Sequence, residues 1–204
     1  MENDQEVIEN NRKMQERREL YRWLGYDTEA ERTLILEAAG VLDGRILELG
    51  TGKGYMSVAL ARRGFRFITI DISAGEQSFA RLNLRYCGLE NRVTFVLGSG
   101  DSLPFAARSL DRVISINTLH HLDNPGRVLD ELERVAATGA VLVMSDFTDE
   151  GFELVERVHR MEGRHHPVEG ICVRAAASRL NQAGFETVVS NSRYQETLVA
   201  RRPD

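Results

Sequence analysis

Short runs of apolar residues alternate along the chain with longer segments in which apolar residues recur every three or four positions. The short runs are typical of strands and the longer segments of amphipathic helices. Runs such as "RILEL" and "GAVLVM" are almost continuously apolar, which favours strands buried on both faces of a parallel sheet. We predict strands over residues 45–49, 66–71, 92–98, 110–117, 139–147, 185–192 and 196–202.

The order of these segments predicts the fold class. The first five strands are separated by connections that are mostly helical, as parallel pairing requires. The last two strands lie so close together that we expect a hairpin, which makes one edge of the sheet antiparallel. The pattern therefore predicts an α/β protein with a doubly wound, mostly parallel sheet, helices on both faces and an antiparallel C-terminal edge.

Capping residues mark where two of the helices begin. Thr28 with Glu31, and Ser73 with Glu76, have the spacing of a capping box. Gly40 stands where the first of these helices would end. We therefore expect helices to begin at Thr28 and at Ser73.

The composition excludes several classes of protein. Of the 204 residues, 42% are hydrophobic and 28% charged, the profile of a soluble globular protein of one domain. The net charge is −5 and basic residues are scattered among acidic ones. The sequence therefore has no basic stripe of the kind that would indicate nucleic-acid binding. Two isolated cysteines, Cys87 and Cys172, fit a reducing compartment. The charged start and the lack of a long apolar run indicate neither a signal peptide nor a membrane span, so we expect a cytoplasmic protein.

The stretch "ELGTGKG", residues 48–54, joins the first predicted strand to a helix. Its alternating glycines, Gly50, Gly52 and Gly54, leave a backbone that a ligand can approach closely. Asp71 follows Gly54 by 17 residues and ends the next strand. Because the carboxyl ends of neighbouring parallel strands meet at one edge, Asp71 can accept hydrogen bonds from both hydroxyls of a ribose. The pair predicts an adenosine-type ligand.

Three classes of ligand share parts of this pattern. A phosphate-binding loop needs GxxxxGK followed by Ser or Thr, which the chain lacks. A nicotinamide fingerprint needs Gly or Ala where the chain has Tyr55, and no tyrosine has the Lys four positions on that a reductase would use. Glu48 would repel a pyrophosphate, whereas it attracts the ammonium and sulfonium groups of S-adenosylmethionine. The acidic residue therefore favours S-adenosylmethionine.

Four elements in order resemble the class I S-adenosylmethionine-dependent methyltransferases, and within them the small-molecule group of methyltransferase type 11 and the ubiquinone- and menaquinone-type enzymes. They are "ELGTGKG", "TIDIS", "LPF" and "SLDRVISINTLHHLDNPGRVLDEL", and the resemblance covers about residues 34–147. It implies a Rossmann-like sheet of seven strands. It also implies in-line transfer of a methyl group to an unidentified small molecule, with S-adenosylhomocysteine as the product.

The resemblance assigns the cofactor contacts by position. The glycines would border the methionine portion, and Glu48 would meet its amino group. Asp71 would hold the ribose and Ile72 would lie against the adenine. Asn117 would contact the methionine end. The implied cofactor-binding set is Glu48, Gly50, Thr51, Gly52, Gly54, Asp71, Ile72, Ser99, Gly100, Asp101 and Asn117.

One cofactor position departs from the family pattern. Relatives commonly have an aspartate where this chain has Ser99, four residues before Leu103. The hydroxyl of Ser99 can still accept a hydrogen bond, and Asp101 can take its place. Either residue therefore reads the adenine amino group in this interpretation.

His120 and His121 are the candidate catalytic residues, because they follow the fourth strand on the side where the methyl group should lie. A structural role, with the rings packed under a loop, stays open for both. The spacings of His159, His165 and His166 match no zinc pattern, so we expect no metal site.

We interpret the chain, residues 1–204, as a single methyltransferase domain. Its parts are a helical cap (1–40), a cofactor-binding core (41–147), a lid-like insert (148–170), and the last helix with the strand hairpin (171–204). The cap and the insert are free to cover the pocket and choose the acceptor.

Two functions remain open from the sequence. One is an active methyltransferase on a small metabolite, and the other is a catalytically silent S-adenosylmethionine-binding module with a sensing or assembly role. We expect a small-molecule methyl acceptor, no nucleic-acid partner, no membrane span, and a monomer or homodimer.

Overall fold

One sheet of seven strands dominates residues 4–40, 42–165 and 168–204, which are the residues that the structure, a computed structural model, describes. The strands are β1 (Ile46–Leu49), β2 (Phe67–Asp71), β3 (Val93–Leu97), β4 (Leu110–Ile116), β5 (Ala136–Phe147), β6 (Glu186–Asn191) and β7 (Gln195–Arg201). The helices are α1 (Asp4–Trp23), α2 (Thr28–Ala39), α3 (Tyr55–Arg62), α4 (Ala74–Tyr86), α5 (Pro125–Val135), α6 (Asp149–Met161) and α7 (Val173–Gln182). Single 3-10 turns lie at Glu90–Arg92 and Leu119–His121.

The strand order across the sheet is β3-β2-β1-β4-β5-β7-β6. Strands β1 to β5 pair in parallel, and β7 runs antiparallel to both β5 and β6. The chain moves outward from β1 to β3 and then returns to β4 on the other side of β1. The carboxyl ends of β1 and β4 therefore open a crevice between their loops, the usual ligand site of such sheets. The predicted Rossmann-like sheet with an antiparallel C-terminal edge is confirmed.

Alternate residues of the strands pack against helices on opposite faces of the sheet. In β1, Ile46 belongs to a buried cluster with residues of α2, α3 and α4. Its neighbour Leu47 belongs to a second cluster with residues of α5 and α7. Because both faces are covered, the strands need apolar residues at successive positions, which explains the continuous runs in the sequence.

The start of α2 differs from the capping box predicted at Thr28. The N-cap is Asp27, whose Oδ1 accepts hydrogen bonds from the backbone N–H groups of Glu29 (3.0 Å) and Ala30 (3.2 Å). Aspartate and threonine are both good caps, and here Thr28 is the first helical residue and is buried. The predicted cap of α4 is confirmed in part, because Ser73 Oγ accepts from the N–H of Glu76 at 3.1 Å.

The strand β5 begins three residues earlier than the sequence predicts. It follows α5 without a loop, since α5 ends at Val135 and β5 starts at Ala136. Ala136 pairs with Leu110, and the register shifts before Val141 pairs with Arg112. Gly139, with φ of +72°, lies in the shifted part, where a glycine allows a left-handed backbone.

The helix α1 lies against α4 and is connected through it to the glycine turn. Asn10 Nδ2 donates to Asn83 Oδ1 at 2.7 Å, and Asn83 Nδ2 donates to the carbonyl oxygen of Lys53 at 2.8 Å.

Within the described ranges, no helix combines the length and apolar character needed to cross a membrane.

Candidate active site

A cavity of about 620 Å³ opens at the carboxyl ends of β1, β2 and β4. Its floor consists of the glycine turn after β1 and the loops after β2, β3 and β4. Its roof consists of residues of α1, α2 and the segment after α6. Ten of the eleven implied cofactor residues line it: Glu48, Gly50, Thr51, Gly52, Asp71, Ile72, Ser99, Gly100, Asp101 and Asn117. The structure also brings His120 and His121 to this cavity, whereas Gly54 is not among its lining residues.

The three glycines of the turn are needed for three different reasons. All have positive φ, with values of +86° at Gly50, +47° at Gly52 and +77° at Gly54. A Cβ on Gly50 would lie 2.3 Å from Thr118 Oγ1, and one on Gly54 would lie 2.7 Å from Ala80 Cβ. A Cβ on Gly52 would have no atom within 4 Å, so this glycine faces open space in the cavity. Among the three, Gly52 therefore offers the bare backbone that a ligand can approach.

Asp71 ends β2 and accepts two backbone hydrogen bonds. Its Oδ2 accepts from the N–H of Gly52 and its Oδ1 from the N–H of Ser73, both at 2.8 Å. The carboxylate thus holds the glycine turn while it also lines the cavity. Since each carboxylate oxygen can accept more than one hydrogen bond, Asp71 retains acceptors for ligand hydroxyls.

Glu48 is a buried carboxyl on β1, with only 1% of its surface exposed. Its Oε2 accepts a short hydrogen bond from Ser57 Oγ, while Oε1 has no hydrogen-bond partner within the described residues. Burial raises the pKa of Glu48 to about 7, against the opposing effect of nearby hydroxyls. An unused carboxyl oxygen beside the glycine turn fits an ammonium group, so these residues suit the methionine end of S-adenosylmethionine.

Asn117 has a left-handed backbone with φ of +54° at the end of β4. Its N–H donates to the carbonyl oxygen of Ser145 at 2.8 Å, and its Oδ1 accepts from Gln195 Nε2 at 2.9 Å. Gln195 Nε2 also donates to the hydroxyl of Tyr26 at 2.8 Å. Gln195 was missed by the sequence analysis, since no short-range pattern relates it to Asn117.

His120 is held by a buried carboxylate. Its Nδ1 lies 2.6 Å from Asp146 Oδ1, and its backbone N–H donates to Asp146 Oδ2 at 3.0 Å. The ring packs edge-on against Phe152 with 5.2 Å between centroids. Asp146 was also missed by the sequence analysis, although a carboxylate that ends an apolar strand was a usable signal.

His121 is the more exposed of the two histidines and its ring contacts that of His120, with 3.9 Å between centroids. The pKa of His121 is lowered, first by partial burial and then by the neighbouring His120, while Asp146 opposes the shift. The shift favours the uncharged form of the ring. The side chain lies at the cavity wall.

The loop after β3 places both candidate adenine contacts in the cavity wall. Ser99 and Asp101 line it, and the N–H of Asp101 lies 3.5 Å from Ser99 Oγ. Gly100 lies between them, and a Cβ there would be 3.0 Å from Leu49 Cδ1. Ile72, 70% exposed, provides an apolar surface at the end of β2.

The roof of the cavity carries several cations that are paired with carboxylates. Arg17 Nη1 lies 3.2 Å from Glu162 Oε2, and Arg164 also contacts Glu162. Arg18 forms an ion pair with Glu29. His159 is buried on α6 and lines the cavity.

The described part of the chain contains no group of three or more His, Cys, Asp or Glu side chains that could hold a metal ion. His166 lies outside the described residues, so its predicted place in the insert is not described.

The structure is a Rossmann-like sheet with a cavity and a glycine turn at the carboxyl ends of its parallel strands. Residues 47–144 match the family model of the methyltransferase domain. The resemblance to S-adenosylmethionine-dependent methyltransferases that the four sequence elements indicated is thereby confirmed over this core.

Individual proteins agree with the family match. Demethylmenaquinone methyltransferase of Clavibacter sepedonicus is 35% identical over 119 residues, which cover 58% of this chain and 47% of the relative. The chain spans about half the length, or less, of the first curated relatives that it matches.

Solved structures share the fold at low sequence identity. An S-adenosylmethionine-dependent methyltransferase from Aquifex aeolicus superposes with a TM-score of 0.65 at 22% identity, over 83% of this chain and 88% of the other. The [4+2]-cyclase SpnF superposes with a TM-score of 0.68 at 20% identity, over 85% of this chain and 80% of the other. A cyclase among the neighbours means that this fold alone does not define the reaction.

Proposed function

We propose that this protein transfers a methyl group from S-adenosylmethionine to a small-molecule acceptor. The observation that carries the proposal is the grouping of Glu48, Gly52 and Asp71 in one cavity. Glu48 offers an unused buried carboxyl oxygen to a cation, and Gly52 offers bare backbone. Asp71 offers carboxylate acceptors to a ribose.

The electrostatic character of this floor favours S-adenosylmethionine over a dinucleotide. Glu48 lies beside the turn that a pyrophosphate would have to approach, and its charged form would repel that group. Asp71 suits the ribose of either ligand and does not discriminate between them. A ligand with an ammonium group shifts Glu48 towards its charged form, so that the attraction strengthens on binding. The methyltransferase match over residues 47–144 supports the same ligand.

When bound, S-adenosylmethionine supplies an electrophilic methyl group on a positively charged sulfur. The protein must then hold the acceptor in line and keep water away from the reacting atoms. Asn117, fixed by Gln195, lies at the end of β4 on the wall of the cavity. We propose that the cap, residues 1–40, and the insert, residues 148–170, form the cover that excludes water and chooses the acceptor.

We propose His120 as the residue that removes a proton from the acceptor. Because the Asp146 carboxylate accepts from Nδ1–H, the basic nitrogen of the neutral ring is Nε2. Asp146 is then a positioning residue, which fixes the tautomer and stabilises the imidazolium that forms. We assign His121, whose ring centroid lies 3.9 Å from that of His120, to packing against the His120 ring.

We propose an aromatic acceptor that carries a hydroxyl group. The cavity wall includes Tyr21, Tyr26, Tyr55 and Phe147, which can pack against a planar ring. The relative named for demethylmenaquinone supports an aromatic ring as the class of acceptor. We also propose that the protein acts in the cytoplasm, in keeping with its two free cysteines, and as a monomer or homodimer.

Calorimetry with S-adenosylmethionine and with nicotinamide dinucleotides tests the ligand. The expected result is binding of the first and not of the second, and the reverse preference would overturn the proposal. Transfer of a labelled methyl group should then be measured over phenols, quinols, amines and thiols. Binding without transfer to any acceptor would favour the silent binding module instead.

A further inference from the structure

Arg32 on α2 is a cation in the lining of the cavity. Within the described ranges, it forms neither a hydrogen bond nor an ion pair, and its Cζ lies over the Tyr55 ring, 4.9 Å from the centroid. The other guanidinium groups that line the cavity, those of Arg17, Arg18 and Arg164, each have a glutamate partner. A cation that is partly removed from water without a partner is costly. Arg32 is therefore the group in the roof that most needs an anion.

Arg32 and Glu48 both contact the first turn of α3. Arg32 lies over Tyr55, the first residue of that helix, and Glu48 is hydrogen-bonded to Ser57, two residues later. The first turn of a helix also presents N–H groups and a positive dipole end, which favour a carboxylate. One cation and one carboxyl beside the same helical turn suit a ligand group that carries both charges.

We propose that Arg32 binds a ligand carboxylate in this cavity, a proposal that rests on the proposed methyltransferase function. Two ligands could supply the carboxylate. One is S-adenosylmethionine, whose methionine end carries an ammonium group for Glu48 and a carboxylate for Arg32. The other is a methyl acceptor that carries a carboxylate on its ring. The guanidinium can hold either in a two-point contact.

The test measures binding by calorimetry for the wild type, Arg32→Gln, Arg32→Lys and Arg63→Gln. The last is the control, because it removes the same charge from an exposed arginine directly after α3 that is not among the residues lining the cavity. The ligands are S-adenosylmethionine, its decarboxylated analogue, and benzoate added to protein saturated with S-adenosylhomocysteine. Thermal unfolding of each variant establishes that it is folded.

We expect Arg32→Gln to lower the affinity for S-adenosylmethionine by about tenfold or more and to leave the affinity for the decarboxylated analogue unchanged. The affinity of Arg32→Lys should lie between those of Arg32→Gln and the wild type, since lysine keeps the charge but loses the two-pronged guanidinium. The affinity of Arg63→Gln should stay within about twofold of the wild type. Loss of benzoate binding with unchanged S-adenosylmethionine affinity would assign the carboxylate to the acceptor.

Two results would overturn the inference. One is unchanged affinity of Arg32→Gln for both S-adenosylmethionine and benzoate. The other is an equal loss of affinity of Arg32→Gln for S-adenosylmethionine and for its decarboxylated analogue, which would mean that Arg32 does not bind the carboxylate. A wild type that binds no S-adenosylmethionine would instead refute the proposed function itself.

Discussion

The carboxylate of Asp146 binds His120 at two points. One oxygen lies 2.6 Å from the ring Nδ1 and the other accepts from the backbone N–H at 3.0 Å. Both residues are only 3% exposed. The end of β5 thereby fixes the turn that follows β4, and it sets both the position and the tautomer of the ring.

Removal of this carboxylate should destabilise the protein. We expect Asp146→Ala to lower the free energy of unfolding by about 2–4 kcal/mol, because buried donors of His120 lose their acceptor. Urea unfolding followed by circular dichroism measures this. Asp146→Asn keeps one oxygen acceptor, so its free energy of unfolding should fall by less than that of Asp146→Ala. Equal stability of Asp146→Ala and the wild type would contradict the buried pair.

The proposed proton transfer gives a separate prediction for Asp146→Asn. The substitution leaves S-adenosylmethionine affinity within about twofold, but the amide no longer fixes the tautomer of His120 or stabilises its charged form. We expect kcat for a hydroxyl acceptor to fall by about 100-fold or more, measured as S-adenosylhomocysteine formed per time. An unchanged kcat would assign His120 and Asp146 to structure alone.

The buried carboxyl of Glu48 links cofactor binding to pH. In the free protein burial raises its pKa to about 7, and an ammonium group beside it would lower that value. Binding below pH 7 must therefore release a proton. We expect affinity for S-adenosylmethionine to rise by up to about tenfold per pH unit as pH increases towards 7 and then to level off. Calorimetry in buffers of different ionisation enthalpy measures the released proton, and Glu48→Gln should abolish the dependence.

The same carboxyl makes stability depend on pH in the free protein. Its folded pKa of about 7 is above the ordinary value of 4.5, so the folded state binds the proton more tightly than the unfolded chain. The contribution is fully present below about pH 4.5 and is lost as pH rises through about 7, a difference on the order of 3 kcal/mol. Denaturant titrations at several pH values measure the free energy of unfolding of the wild type and of Glu48→Gln. Parallel pH profiles of this free energy for the two proteins would contradict the prediction.

Asp71 serves both the turn and the proposed ribose contact. We expect Asp71→Asn to lower S-adenosylmethionine affinity by about tenfold or more, since charge-assisted hydrogen bonds become neutral ones. Asp71→Ala should in addition cost about 1–3 kcal/mol of stability, because the N–H groups of Gly52 and Ser73 lose their acceptor. Unchanged affinity of Asp71→Asn in calorimetry would exclude the ribose assignment.

The glycine turn allows stability and binding to be separated. Gly54→Ala combines a left-handed φ with a Cβ 2.9 Å from the Ala80 Cα, and we expect it to cost about 2–5 kcal/mol. Gly52→Ala meets no protein atom within 4 Å, so its cost should be nearer to 1–2 kcal/mol, about that of the left-handed backbone alone. The methyl group of Gly52→Ala would instead occupy the cavity and lower the affinity for S-adenosylmethionine. Equal unfolding free energies for the two variants would contradict this division.

The parts of the fold that local pattern determines were predictable from the sequence. Continuous apolar runs locate strands covered on both faces, and the short link before Gln195 indicates the antiparallel hairpin. Helix ends were less well predicted, because Asp27 and Thr28 are both good caps and only the packing of Thr28 decides between them. The early start of β5 at Ala136 depends on its pairing with Leu110, which no local pattern shows.

The site was predictable where a short motif concentrates it. The turn from Glu48 to Gly54 and the distant Asp71 belong to one strand-turn-helix unit and its neighbouring strand. The partners of His120 and Asn117 were not predictable in this way. Asp146 is 26 residues from His120, and Gln195 is 78 residues from Asn117. Contacts of this kind arise only when the sheet assembles.

Gln195 is the first residue of β7, and it joins Tyr26 and Asn117 through one amide group. During synthesis these two residues emerge from the ribosome long before the strand that connects them. The rim of the cavity is therefore completed at the end of folding, and a nascent chain that stops short of this strand cannot assemble the mature binding surface.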